Sequence, residues 1–140
     1  MRDVGLKDNE RMVRTEALFL LGKRGGVRSI QLVKPFMSSA DWKERATALD
    51  AVVRVVKTGL WDDGIPLLLD ALADPEPSIR YSAAAHLNLL TGQNRPTVPT
   101  LWPEKAKNVE REWRGWWEAN KGKYPPGGKA PAPPLHVGAR

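Results

Sequence analysis

Residues 77–92 read Pro-Ser-Ile-Arg-Tyr-Ser-Ala-Ala-Ala-His-Leu-Asn-Leu-Leu-Thr-Gly, and the fold follows from this stretch. Both of its ends are marked. Asp74-Pro75-Glu76-Pro77 breaks any preceding helix and launches a new one, because a proline in the first turn gives up only an amide that has no partner inside the helix. Gly92 supplies the stop. Between them Ile79, Ala83, Ala84 and Leu87 fall on one helical stripe.

Two earlier stretches carry the same pattern. With the chain aligned on Arg14, Arg45 and Arg80, an alanine follows three residues later each time, at Ala17, Ala48 and Ala83. Four residues after the arginines come Leu18, Leu49 and Ala84, and seven after come Leu21, Val52 and Leu87. The residues before them are Val13, Glu44 and Ile79, so the middle copy departs there. The periods are 31 and 35 residues, and the second copy reaches its glycine later (Gly59 against Gly25), an insertion of roughly one helical turn in length. Self-similarity at this period, with two helices per unit, indicates a helical solenoid.

Working outward, Asp8 is placed to cap a first helix running through Gly22, on which Met12, Val13, Ala17, Leu18, Leu20 and Leu21 recur at helical spacing. Gly25-Gly26 turns the chain into a shorter helix with Val27, Ile30, Leu32 and Val33, which Pro35 distorts or ends. A third helix is expected from Asp41 to about Thr58. Asp62-Asp63-Gly64 then caps a short helix with Ile65, Leu68, Leu69 and Leu72, with Pro66 in its first turn. After the stretch 77–92 comes an irregular connection holding Pro96, Pro99 and Pro103, and then a last helix from about Glu104 to Ala119. Val109, Trp113, Trp116 and Trp117 share a face of that last helix. Ordering a helix of this length needs most of its indole surface docked, so those tryptophans are expected to pack rather than to stack bases or grip a peptide. The domain is read as residues 1–120, with units at about 9–38, 40–73 and 76–120. The Pro-, Gly- and Ala-rich residues 121–140 are expected to be disordered.

The repeat resembles HEAT repeats, in particular the short bacterial-type units grouped with phycobilisome-lyase-like HEAT proteins. The residues that carry the likeness are Asp74-Pro75-Glu76-Pro77-Ser78-Ile79-Arg80 leading into Ala83, Ala84 and Leu87, with weaker copies at Val13-Arg14 and Arg45. It covers roughly residues 9–92. It implies an all-α, right-handed, armadillo-like helical solenoid of about 2.5 units, closed by the Trp-rich helix. It implies a protein-binding or scaffold role, and no lyase activity, because the family is defined by packing positions. Some DNA glycosylases are built on HEAT-like solenoids with basic concave faces, but no catalytic acid of that kind can be matched here.

Composition bounds the function. The 140-residue chain is 27% charged and carries a net charge of +6. Residues 1–35 and 104–140 each hold eight Lys/Arg against four acids, whereas the middle holds six against eight. Two basic ends flanking a faintly acidic centre permit contact with nucleic acid without arguing strongly for it. With no cysteine, disulfides and thiolate metal sites are excluded. No apolar run is long enough to cross a membrane, the N-terminus lacks the apolar core of a signal peptide, and a cytoplasmic location is expected. His86 is read as a helix-surface or core residue, and His136 lies in the tail. No phosphate-cradling loop, nucleophile elbow or zinc-protease motif is present, so neither an enzyme nor a cofactor is expected.

Arg14, Arg45 and Arg80 are expected to pair with acids of neighbouring units, with Asp41, Asp70 and Asp74 as candidates. The candidate interaction surface comprises Lys23, Arg24, Arg28 and Lys34 on the first turn and the helix after it, with Asp62 and Asp63. The expected partner is another protein, with nucleic acid as the alternative.

Overall fold

A computed structural model describes residues 2–95, 97 and 103–128. Among these residues the secondary structure is entirely helical: α1 (Arg2–Arg24), α2 (Val27–Val33), α3 (Trp42–Val56), α4 (Trp61–Ala71), α5 (Pro77–Thr91) and α6 (Pro103–Asn120). Short 3-10 turns follow at Lys34–Ser38 and Lys121–Lys123. Helices α1, α3 and α5 are the first helices of successive units; α1 packs on α3 and α3 on α5. Helices α2 and α4 form the second layer, and α6 packs against α4 where a further second helix would stand. This is an all-α helical-repeat solenoid.

Helix boundaries follow local chemistry. The Asp41 side chain accepts a hydrogen bond from the Lys43 amide at 3.0 Å and caps α3. Gly25 ends α1 at φ 71° with its amide on the Leu21 carbonyl, and Gly92 ends α5 at φ 71°, a conformation that an L side chain resists. Pro35 halts α2, and the chain continues as the 3-10 turn Lys34–Ser38.

Three expectations need correction. First, α1 starts at Arg2, so Asp8 lies within the helix and does not cap it. Nothing in residues 2–7 stops a helix, and the single Gly5 costs only about 1 kcal/mol. Second, α4 starts at Trp61 with Leu60 at the cap position, so Asp62 and Asp63 occupy its first turn, and Pro66 lies inside the helix. Burial of Trp61 draws the helix start back to it, while the two acids still favour the positive end of the dipole. Third, residues 121–128 are not disordered. Tyr124 is buried, the Gly127 amide donates to the Gly59 carbonyl at 2.9 Å, and Trp61 Nε1 donates to the Gly128 carbonyl at 3.0 Å. Burial of the Tyr124 ring, one backbone bond and one bond from the Trp61 indole hold this short return against the core. Residues 129–140, like Pro96 and Pro99 of the connection, lie outside the described residues.

The core runs from Leu18 through Leu49, Val52 and Val56 to Leu68, Ile79 and Leu87, and ends on Trp113. Its aromatic end is a cluster: Trp61 meets Tyr124 edge-on at 5.0 Å, Trp117 lies 5.4 Å from Tyr124, and Trp113 meets Trp116 edge-on at 5.7 Å. The expected docking of the Trp-rich helix is what the structure shows, with Trp113 and Trp117 buried. Two glycines set the helix spacing. A Cβ at Gly22 would come within 2.9 Å of the Ala51 backbone, so α1 and α3 approach closely there. A Cβ at Gly64 would overlap the Val56 side chain beneath α4.

Candidate interaction surfaces

Two of the three aligned arginines, Arg14 and Arg45, tie successive units together, and Arg80 bonds to the turn before its own helix. Arg14 on α1 donates from Nε to Glu44 on α3 at 2.5 Å. Arg45 on α3 reaches the turn before α5, donating from Nε and Nη2 to the two carboxylate oxygens of Asp74 at 2.8 and 2.9 Å. This two-pronged contact suits the planar guanidinium. Arg45 and Arg80 also repeat one local device: each donates from Nη1 to a carbonyl six residues back, Ser39 and Asp74 respectively, at 2.7 Å. Asp74 additionally accepts from the Glu76 amide at 2.8 Å. Hydrogen bonding to Asp74 raises the Arg45 pKa above the usual arginine value, and Glu44 does the same for Arg14. Arg14 and Arg45 serve the stacking of units.

Of the expected partners, Asp74 takes Arg45 and Asp41 caps α3, whereas Asp70 is engaged by a cation that the alignment did not indicate. Arg114 on α6 donates to Asp70 at 2.5 Å and to Glu110 at 2.9 Å. Burial works against its charge, but the two acids outweigh burial and its pKa is raised. The residue before Arg45, Glu44, looked like a break in the repeat pattern, yet it is the acid that receives Arg14. His86 lies on the surface of α5, with Nε2 3.7 Å from Asp50.

The structure separates the candidate interaction residues. Arg24 and Arg28 line one hollow of about 240 Å³ with Leu21, Gly25, Ser29 and Leu32. Lys23 projects over the Phe19 ring at 5.6 Å, which the Arg54 guanidinium faces at 4.3 Å. Lys34 borders a different hollow, with Met37, Arg45, Asp70 and Asp74. Asp62 opens onto a groove of about 630 Å³ between α4 and α6, shared with Pro66, Leu69, Arg114, Trp117, Glu118 and Lys121. Within that groove Lys121 pairs with Glu118 at 2.9 Å. Asp63 is exposed on the first turn of α4.

An apolar surface was missed by the sequence reading. Met12, Val13, Phe19 and Leu20 on α1, and Val27 and Leu32 on α2, are exposed, although the helical spacing assigned most of them to a core. Met12, Thr15, Glu16 and Phe19 line a shallow hollow of about 390 Å³. The available signal was an excess: α1 carries apolar residues around much of its circumference, and its neighbours α3 and α2 cover only part of it. Among the described residues, no group of three or more His, Asp or Glu could hold a metal ion, and no helix is long and apolar enough to cross a membrane.

First helices stacked in register, joined by arginine–acid pairs and backed by a second helical layer, define a helical-repeat protein. The family model described as HEAT repeats matches residues 4–88, more than half of the sequence, and the chain belongs to that family. HEAT repeats generally mediate protein–protein interaction and scaffolding and are generally non-catalytic. No curated protein and no solved structure matches the chain.

Proposed function

We propose that this chain is a non-catalytic protein-interaction module that receives its partner on the outer surface of the first unit. One observation carries the reading. Among the described residues nine large hydrophobic side chains are exposed, and six of them (Met12, Val13, Phe19, Leu20, Val27 and Leu32) lie on α1 and α2. Apolar exposure gathered in one region marks an interaction site, whereas scattered single residues do not. Lys23, Arg24 and Arg28 lie at one end of this surface and Glu10 and Glu16 at the other, which suits a partner that presents acid and base in the opposite order. Lys34, Asp62 and Asp63 lie apart from it, Lys34 on another hollow and the two acids on α4, and are left out of the proposed surface. A cysteine-free chain suits a reducing cytoplasm, where we place its action. Nucleic acid would draw on the same cations, but Lys34 borders a different hollow from Arg24 and Arg28, and Lys23 is engaged with Phe19.

The test is site-specific photocrosslinking in cells, with the photoreactive residue replacing Leu20 in one variant and the exposed Lys107 in another. The expected result is a discrete protein adduct from position 20 only. No protein adduct from position 20, or salt-sensitive duplex DNA binding with a steep slope, overturns the reading.

A further inference from the structure

The repeat supplies a reference for the exposed face of α1. The register that aligns Arg14 with Arg45 also aligns Val13, Ala17, Leu20 and Arg24 with Glu44, Ala48, Ala51 and Val55. On α3 those four residues are buried, at 7%, 0%, 2% and 0% exposure. Two of them touch α1 directly, Glu44 through Arg14 and Ala51 beside Gly22. This face of α3 is therefore the seat of the preceding first helix. The same face of α1 is bare: Val13 is 66% exposed, Leu20 is 57% exposed, and Glu10, Ala17 and Arg24 are exposed with them.

What the bare face carries identifies its occupant. Glu10, Val13, Ala17, Leu20 and Arg24 are spaced three and four residues apart, the narrow stripe on which two helices pack. The stripe has an acid at its start, a base at its end and its smallest side chain at its midpoint. Laid antiparallel on an identical stripe, it puts Ala17 against Ala17, Val13 against Leu20, and Glu10 against Arg24 twice. We propose that two copies of this chain associate through α1, antiparallel about a two-fold axis at Ala17. This rests on reading the first unit as the docking surface and names what docks there. A contact one helix wide lies at the small end of interface sizes, below about 1,200 Å², so association is expected in the micromolar range.

The full chain has no cysteine, so single introduced thiols report register without interference. Sedimentation velocity from low to high micromolar concentration is expected to show a monomer–dimer equilibrium. Leu20→Glu should abolish the dimer while leaving the circular dichroism unchanged. Glu10→Lys should weaken it by roughly tenfold, through two lost pairs, and adding Arg24→Glu should restore it. Under mild oxidation Ala17→Cys should crosslink to itself, and a mixture of Val13→Cys with Leu20→Cys should yield the mixed product in preference to either homodimer. A monomer at every concentration, or a dimer that is insensitive to Leu20→Glu and has no preferred crosslink, overturns the proposal. If photoadducts to other proteins persist at position 20 while the chain stays monomeric, self-association fails and the docking surface stands. If neither forms, both fail.

Discussion

At the scale of single residues, Asp74 has the most to lose. It binds the Arg45 guanidinium and the Glu76 amide through its side chain and Arg80 through its carbonyl, joining two units and the start of a helix. Arg45→Met removes the two-pronged pair and strands a carboxylate that is largely buried, so it is expected to lower unfolding free energy by about 2 kcal/mol in denaturant titration. Arg14→Met should be milder, because Arg14 is far more exposed than Arg45. Tyr124 gives the molecule a limit at high pH. Burial raises its pKa above the ordinary value of 10.0. The folded chain therefore holds the phenol proton more tightly than the unfolded chain does. The resulting stabilisation is fully present below about pH 10 and is lost as pH rises through the folded-state value. Tyr124→Phe should flatten that alkaline limb in denaturant midpoints measured from pH 8 to 11.

At the scale of elements, helix spacing was less legible in the sequence than helix identity. The bounds of α5 could be read almost to the residue, because Pro77 and Gly92 each act through local backbone chemistry. The starts of α1 and α4 could not. The first depended on the absence of a stop before Asp8, and the second on burial of Trp61 beneath a segment remote in sequence. The close approaches at Gly22 and Gly64 were equally hidden, since a glycine kept for want of space looks like any other helical glycine. They are now predictable. Gly22→Ala would gain up to about 1 kcal/mol of helix propensity, but its methyl meets backbone that has nowhere to move. The net expectation is a loss of about 1–3 kcal/mol, from overpacking, read by thermal or chemical denaturation. Gly64→Ala should lose a similar amount against Val56. The candidate surfaces were less legible still: which hollow each basic residue borders, and the apolar strip on α1, depend on which face a neighbour covers.

At the scale of the whole molecule, the core is continuous from Leu18 to Trp113, and its density of burial is uneven. Helices α3 and α4 each pack against several elements on more than one side, whereas α1 leans on α3 and α2 alone. Native-state hydrogen exchange in dilute solution should therefore show the strongest protection in α3 and α4 and the weakest in α1. Equal protection throughout would mean that the units do not differ in stability. Trp113→Ala should remove about 3–5 kcal/mol by opening a cavity at the aromatic end, enough to unfold a domain of ordinary stability. The bare face of α1 has one further consequence. Chain growth by stacking, as in a filament, needs a face that meets a different face on the next copy. In the proposed two-fold pairing α1 meets α1, so the same face is used up on both partners. Such a contact closes at two chains, and a basic, repeat-built chain is thereby kept from running on into fibres through it.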